Sequence, residues 1–312
     1  MILAAGLGSR LRPLSELVAK PAMPVRGIPV LAHTLTLLAR HGVTEVVINL
    51  HHLPDTVRDA VERHRPAGLE VSYSEESELL GTGGGIKHVA NFLRESDPSV
   101  ILAGDMLLDI DLGAAVAAHR ERGDRCSLLV NEDDPRAAAF GTLGFDDEGC
   151  LRRIGTRLDL TGETRRGLFL GVRIVAARCL TDWPERSEFE DLSDWLAPLL
   201  AGAGHDIRVG AVPPLNLVWE PVGTPEEYLA VNFDPPILSY RNEIFGEPEA
   251  RALPGQPVLL GRGASIDAGA VLERVVVWPD ERVPGSLHAR DGVFAGGRFV
   301  RCTPVTDASG IR

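Results

Sequence analysis

An α/β fold with a doubly wound, mixed but mostly parallel sheet follows from three observations on this chain. Apolar runs of strand length alternate with helix-period segments from Met1 to Arg120, the pacing of parallel βαβ units. Gly6, Gly81 and Asp105 each follow such a run, so they converge outside the carboxyl ends of the strands. With 312 residues and 44% hydrophobic side chains, the chain fills one large core and leaves a small appendage.

The opening run, Met1 to Ala5, reads as a buried strand. It breaks into Gly6-Leu7-Gly8-Ser9-Arg10; Arg12 and then Lys20, just before Pro21, add positive charge. Glycines that let the backbone approach a ligand, free N–H groups and fixed cations together suit a triphosphate. Pro29 to Arg40 places Val30, Leu31, Leu35 and Leu38 at helical spacing and ends at Gly42. Val46 to Leu50 is a buried strand, Asp55 to His64 an amphipathic helix, and Leu69 to Ser74 a partly alternating strand. Gly81 and Gly83 to Gly85 precede a helix reaching Phe92, whose N-terminus is expected to face negative charge. Ser99 to Ala103 is apolar and ends in Gly104-Asp105, and Asp111 caps a helix from Leu112 to Arg120.

From Cys126 the pattern changes. Ser127 to Val130 is a strand, and Phe140 to Phe145 and Cys150 to Ile154 flank a hairpin turn at Asp146-Asp147-Glu148-Gly149. Gly167 to Val175 is a longer strand, Leu192 to Leu200 a helix, and Ile207 to Val212 and Leu215 to Trp219 are strands. This mixed half is expected to wall off a substrate. Thr224-Pro225-Glu226-Glu227 is a capping box with proline at the first helical position, starting a helix to about Val231. Asp234-Pro235-Pro236 marks the end of a body over 1–235, followed by a linker over 236–256 and a tail over 257–312. In the tail, Ala264, Ala270, Val276 or Val277, and Val283 recur at a spacing of about six residues, a pattern of short stacked β rungs too few to stand alone. The tail is therefore expected to pack on the body or on another subunit.

The series Gly6-x-Gly8-x-Arg10-Leu11-x-Pro13-Leu14, then Lys20-Pro21 and Pro24, resembles the signature of the sugar-1-phosphate nucleotidyltransferases. The resemblance spans about residues 1 to 233. It implies a Rossmann-like nucleotidyltransferase fold, with a nucleoside triphosphate and a sugar 1-phosphate as partners, giving an NDP-sugar and pyrophosphate. It implies that Leu3, Ala4, Ala5, Gly6, Gly8, Ser9, Gly81 and Thr82 bind the nucleotide and that Glu76 reads the base edge. Arg10 would grip the β- and γ-phosphates, Lys20 the α-phosphate and sugar phosphate, and Asp105 a Mg²⁺ cofactor. Phe140-Gly141 and Gly171-Val172 match backbone contacts to the sugar, which makes Gly141, Gly171 and Val172 the sugar-side residues. Thr82-Gly83-Gly84-Gly85-Ile86 resembles the branch of mannose-1-phosphate guanylyltransferase-like and N-acetylmuramate-1-phosphate uridylyltransferase enzymes. Guanine with mannose is thus the first expectation, and uracil with a glucose-type or muramyl sugar the second. In this family a hexapeptide-repeat, left-handed β-helix tail implies self-association.

Two departures stand out. The family pattern Trp-x-Asp-x-Gly-Thr-Pro, whose aspartate is a second metal ligand, reads here Trp219-Glu220-Pro221-Val222-Gly223-Thr224-Pro225. Glu220 is one residue off and would need a local bulge to turn inward. Otherwise Mg²⁺ rests on Asp105, phosphates and water, or activity is lost. A Glu-Lys-Pro motif is replaced by Gly155-Thr156-Arg157, with Arg157 as the substitute.

Composition excludes several classes. The net charge of -12 disfavours nucleic acid as a partner. The absence of a long apolar run or a leader before the first strand implies no membrane span and a cytoplasmic setting. Relatives carry a few residues ahead of this strand, so a longer start is expected. Cys126, Cys150, Cys179 and Cys302 are scattered without a C-x-x-C and read as reduced, inert thiols. A dinucleotide-binding dehydrogenase fails because Val46 to Leu50 leads into His51-His52 with no acidic residue. A non-catalytic nucleotide-sugar-binding paralogue is the rival reading, favoured by Pro221 and opposed by Arg10, Lys20 and Asp105.

Overall fold

The structure is a computed structural model that describes residues 1–137, 141–202, 209–244, 250–253 and 257–302. Its main sheet runs in the order Leu158–Asp159, Leu151–Ile154, Leu143–Phe145, Arg165–Val175, Ser99–Ala103, Ile2–Leu3, Glu45–Leu50 and Glu70–Glu75. Cys126–Asn131 pairs with Arg165–Val175, and Val209–Val212 pairs with Cys126–Asn131. Ser99–Ala103, Ile2–Leu3, Glu45–Leu50 and Glu70–Glu75 are mutually parallel. Arg165–Val175 enters antiparallel beside Ser99–Ala103, and the sheet is mixed from there on. The doubly wound, mostly parallel sheet expected from the sequence is thus present.

Both faces of the parallel half are covered, which is why its strands read as unbroken apolar runs. On one face, Leu31, Leu35, Val57 and Val61 from helices Val30–Arg40 and Pro54–His64 pack with Ile2, Ile48, Leu102 and Val172. On the other, Ile86, Val89, Leu93, Trp195 and Leu196 pack with Met1, Val47 and Ile101. Among the described residues, no helix is long and apolar enough to cross a membrane.

Several elements differ from expectation. Met106–Asp109 is an added strand, paired antiparallel with Val218–Pro221. All four of its residues are buried, so no alternation marked it. Leu215 lies outside the later strand and is exposed, its carbonyl accepting from the Asp111 amide at 3.2 Å. A π-helical turn, Asp191–Leu196, precedes the α-helix Ala197–Gly202. Ile207 and Phe140 lie outside the described residues. Helix Pro225–Phe233 carries its capping box in full, Thr224 and Glu227 each bonding the other's backbone.

In the tail, Val258–Gly261, Val271–Val277 and His288–Ala295 stack in parallel register. Ser265–Ile266 and Arg282–Val283 form a second parallel pair. Val258, Leu260, Ala264, Val277, Val283 and Phe294 fill the interior of these coils. Leu259, Val276, Trp278 and Val293 face outward and join Leu11, Leu14, Met23, Val222 and Tyr228 in one core. The tail thus packs on the body of its own chain.

Candidate active site

The first strand ends under a loop that wraps back on itself. Gly8 takes φ 61 and starts a 3-10 turn over Ser9–Leu11. A Cβ there would lie 3.1 Å from Ser15 Cβ, and Ser15 Oγ donates to the Gly8 carbonyl at 2.8 Å. Leu11 and Leu14 are fully buried and pin the loop from below. Gly6 has open space where a Cβ would stand. With Leu3, Ala4, Ala5 and Lys20, it lines a cavity of about 430 Å³. Gly8 and Ser9 do not line this cavity; Gly8 shapes the turn.

Asn49, Glu76, Gly81, Thr82, Ala103, Asp105, Gly171 and Arg173 complete the cavity with Leu79, Glu188 and Glu190. Glu76 is buried, and both its oxygens are engaged: Asn49 Nδ2 donates to Oε1 at 2.7 Å and the Leu80 amide to Oε2 at 3.1 Å. Asn49 Oδ1 in turn accepts from the Ala4 amide at 2.8 Å. This chain of bonds ties the end of the first strand, where the glycine loop begins, to the far end of the cavity. His51 and His52 brace it from outside: His51 Nδ1 bonds the Glu76 carbonyl at 2.8 Å and His52 Nε2 the Ser15 carbonyl at 2.7 Å.

The glycine run after Glu76 does something other than expected. Helix Gly81–His88 begins within it, yet the Gly83 and Gly84 amides both donate to the Phe189 carbonyl, at 2.9 and 3.1 Å. Thr82 Oγ1 bonds Glu190 Oε2 at 2.6 Å. The helix N-terminus is spent on the chain's own segment around Phe189 and offers little to a phosphate. The glycines serve packing instead: a Cβ on Gly83 would fall 2.4 Å from the Phe189 ring, and one on Gly84 2.1 Å from the Ser187 carbonyl.

Asp105 sits between strands Ser99–Ala103 and Met106–Asp109, and its carboxylate pairs with Lys20 Nζ. A second cavity of about 150 Å³ adjoins the first and shares Lys20, Ala103, Asp105 and Gly171; Arg10, Met106, Phe169, Trp219, Pro221 and Gly223 add to it. The Gly223 Cβ position lies 3.4 Å from Arg10 Nη2 and 3.6 Å from Lys20 Nζ, so both cations address one point. Glu227, the other carboxylate nearby, is committed to the Gly223 and Thr224 amides at 2.7 and 3.1 Å. Positive charge is concentrated at the Arg10 and Lys20 end of the site, a local field that suits a polyphosphate there, while Glu188 and Glu190 line the other end.

Of the sugar-side residues, Gly171 lines both cavities, while the Val172 side chain is buried in the core on the opposite face of the sheet. Gly141 is exposed and lines neither cavity. Arg157 is exposed and likewise lines neither. Glu220 is turned away from Asp105. Its carboxylate accepts from Arg136 Nη1 at 2.9 Å, and Arg136 stacks 4.7 Å from the Trp219 ring centroid. No bulge rotates it inward, because Trp219, Glu220 and Pro221 pair in unbroken register with Leu108, Leu107 and Met106. Among the described residues, no group of three His, Cys, Asp or Glu side chains gathers as a metal cage. Asn49, Arg173, Glu188 and Glu190 are polar cavity residues that sequence reasoning passed over, and only Asn49 and Arg173 left a local trace. Each is a polar residue inside an otherwise apolar strand, and that interruption was the available signal.

Comparison with known proteins agrees with this geometry. The family model described as nucleotidyl transferase matches residues 1–156. A mannose-1-phosphate guanylyltransferase of Mycobacterium tuberculosis is 30% identical, covering 91% of this chain and 80% of that protein. An N-acetylmuramate alpha-1-phosphate uridylyltransferase of Caulobacter vibrioides is 33% identical over 74% of this chain and 93% of its own. A UTP–glucose-1-phosphate uridylyltransferase of Synechocystis is 26% identical over 94% of this chain and 75% of its own. In fold, HddC from Yersinia pseudotuberculosis superposes with a TM-score of 0.60 at 24% identity, over 73% of this chain and 94% of that one. A glycine loop, a carboxylate-paired lysine and a sheet-end aspartate on one cavity, in a chain with these relatives, place this protein in the nucleotidyl transferase family, as an enzyme of the sugar-1-phosphate nucleotidyltransferase type.

Proposed function

We propose that this enzyme joins GTP to mannose 1-phosphate, giving GDP-mannose and pyrophosphate. The observation that carries the reading is the Arg10, Lys20 and Asp105 cluster where the two cavities meet. An oxygen of the sugar phosphate attacks the α-phosphorus in line. The new O–P bond forms as the bond to the β-phosphate oxygen breaks, and no covalent enzyme intermediate is needed. Arg10 and Lys20 hold the phosphates in register and offset the charge on the departing pyrophosphate. The donor set fits a hard divalent cation such as Mg²⁺: Asp105 would hold it together with phosphate oxygens and water, as this ion requires few protein ligands. When bound, such an ion neutralises and orients phosphate charge.

The choice of guanine is supported by the buried Glu76 carboxylate on the cavity wall and by relatives named for guanylyl transfer. Guanine offers two adjacent N–H donors on its pairing edge. Uracil offers one, flanked by carbonyls that a carboxylate repels. A carboxylate keeps acceptor capacity beyond the two bonds Glu76 already accepts. Kinetics with GTP and UTP on the wild type and on Glu76→Gln test this. GTP should lead in the wild type, and the variant should narrow the ratio by about 10-fold or more. A wild type that prefers UTP would move the reading to a uridylyltransferase acting on a glucose-type or muramyl sugar.

A further inference from the structure

Strand Arg165–Val175 carries an arginine in its buried stretch: Arg173 is 5% exposed. The pairing of this strand with Cys126–Asn131 slips between Phe169 and Arg173, and Gly171 takes φ 74 inside the break. Such a bulge re-aims side chains, and here Arg173 lines the main cavity with Leu3, Ala103 and Gly171. Its guanidinium is fixed on three sides. Nε donates to Asp191 Oδ2, Nη1 donates to the Gly171 carbonyl at 3.2 Å, and the Phe169 ring lies 4.8 Å from Cζ. Asp191 is 2% exposed, and its backbone amide donates to Thr82 Oγ1 at 3.1 Å, so the partner is held as well. Nη2 has no hydrogen-bond partner among the described residues. A desolvated guanidinium with an idle donor is incomplete, and what can complete it is whatever fills the cavity.

The surroundings decide the chemistry of that group. Asp191 already offsets the charge of Arg173, and Glu188 and Glu190 line the same cavity. The local balance is negative, so a carboxylate or phosphate is repelled there, while a neutral oxygen is accepted. We propose that Arg173 contacts substrate and sets specificity by donating Nη2–H to a neutral hydroxyl oxygen of the bound polyol. That polyol is the ribose of the nucleotide or the hexose of the sugar phosphate. The assignment rests on the reading of the cavity as a site for a nucleoside triphosphate and a sugar 1-phosphate.

A cycle across protein and ligand tests it in the full chain. Arg173→Lys keeps a cation opposite Asp191 and removes the second donor edge. Wild type and variant are assayed with the NTP and sugar 1-phosphate that the wild type uses best, and with the single-deoxy analogues of each. One hydroxyl deletion should cost the wild type about 10- to 100-fold in kcat/KM, Arg173→Lys should cost a similar factor with the parent substrates, and the two losses should not multiply. The substrate that shows this non-additivity identifies the source as ribose or hexose. Losses that multiply for every analogue, or a folded variant with wild-type kcat/KM for both substrates, overturn the proposal. If Arg173→Lys does not fold, the wild-type arm still decides: no analogue losing more than about 3-fold overturns it. If the wild type turns over no pair, the reaction assigned above fails separately. The same cycle on Kd, by calorimetry with GDP-mannose and its deoxy counterparts, then supports or overturns the contact.

Discussion

Arg10 and Lys20 address one point beside Gly223, and the carboxylates near them are Asp105, paired to Lys20, and Glu227, committed to backbone amides. Fixed like charges held this close are tolerated where an anion arrives to separate them. Arg10→Ala is therefore expected to lower kcat/KM by about 10²–10³-fold, the scale for removing a preorganised charge, with the melting temperature unchanged because Arg10 is exposed. A melting temperature that falls with the rate would reassign Arg10 to stability. Away from the site, His33 sits 3% exposed in helix Val30–Arg40, its ring 6.3 Å from Tyr240. Burial pushes its pKa down from 6.5 to about 4. The folded state therefore binds the proton less readily than the unfolded one, and stability falls as pH drops from about 6.5 toward 4. Unfolding in urea should show a loss on the order of 3 kcal/mol across that window, and His33→Phe should flatten it. An unchanged slope in the variant would assign acid sensitivity elsewhere.

At the scale of elements, the glycine run of helix Gly81–His88 is a packing device that seats Phe189 in the core and brings Glu188 and Glu190 onto the cavity wall. Gly83→Ala places a methyl 2.4 Å from the Phe189 ring, a contact that forces the segment outward. The expected cost is about 1–3 kcal/mol, together with a higher KM for the nucleotide, since Thr82 and Glu190 move with it. Wild-type stability and KM in that variant would remove the packing role. What the sequence revealed at this scale was local chemistry. The capping box at Thr224, the Asp111 cap and the turn at Gly8 each depend on neighbours within a few residues. What it hid was tertiary. The amides of Gly83 and Gly84 are claimed by a carbonyl about a hundred positions away, and strand Met106–Asp109 is buried throughout, so neither left a periodic mark.

At the scale of the molecule, the tail sheet closes over the segment that leads out of the glycine loop. Trp278 Nε1 donates to the Tyr228 hydroxyl at 2.9 Å, which donates to the Pro24 carbonyl at 2.6 Å. Burial raises the Tyr228 pKa far out of reach, so this relay stays neutral. Trp278→Ala should cost about 3–5 kcal/mol by opening a cavity against Tyr228 and Val276. A rise in KM for the nucleotide should accompany it if the relay positions the loop; stability loss alone would make the tail a brace only. The small-residue spacing of the tail was visible in the sequence, but its docking face was not, because Leu259, Val276 and Val293 alternate with interior positions and look alike in one dimension. Strand alternation pointed Glu220 outward, but its partner was hidden: the ion pair with Arg136 joins residues whose sequence separation carries no local signal.

Pyrophosphate release by the purified protein with Mg²⁺, GTP and mannose 1-phosphate, beside Asp105→Ala and a panel of other NTPs and sugar 1-phosphates, bears most directly on the assignment. The expected result is release that requires both substrates in the wild type and falls by at least about 10²-fold in Asp105→Ala. Release that survives Asp105→Ala, or silence with every pair, would contradict a catalytic site built on Arg10, Lys20 and Asp105.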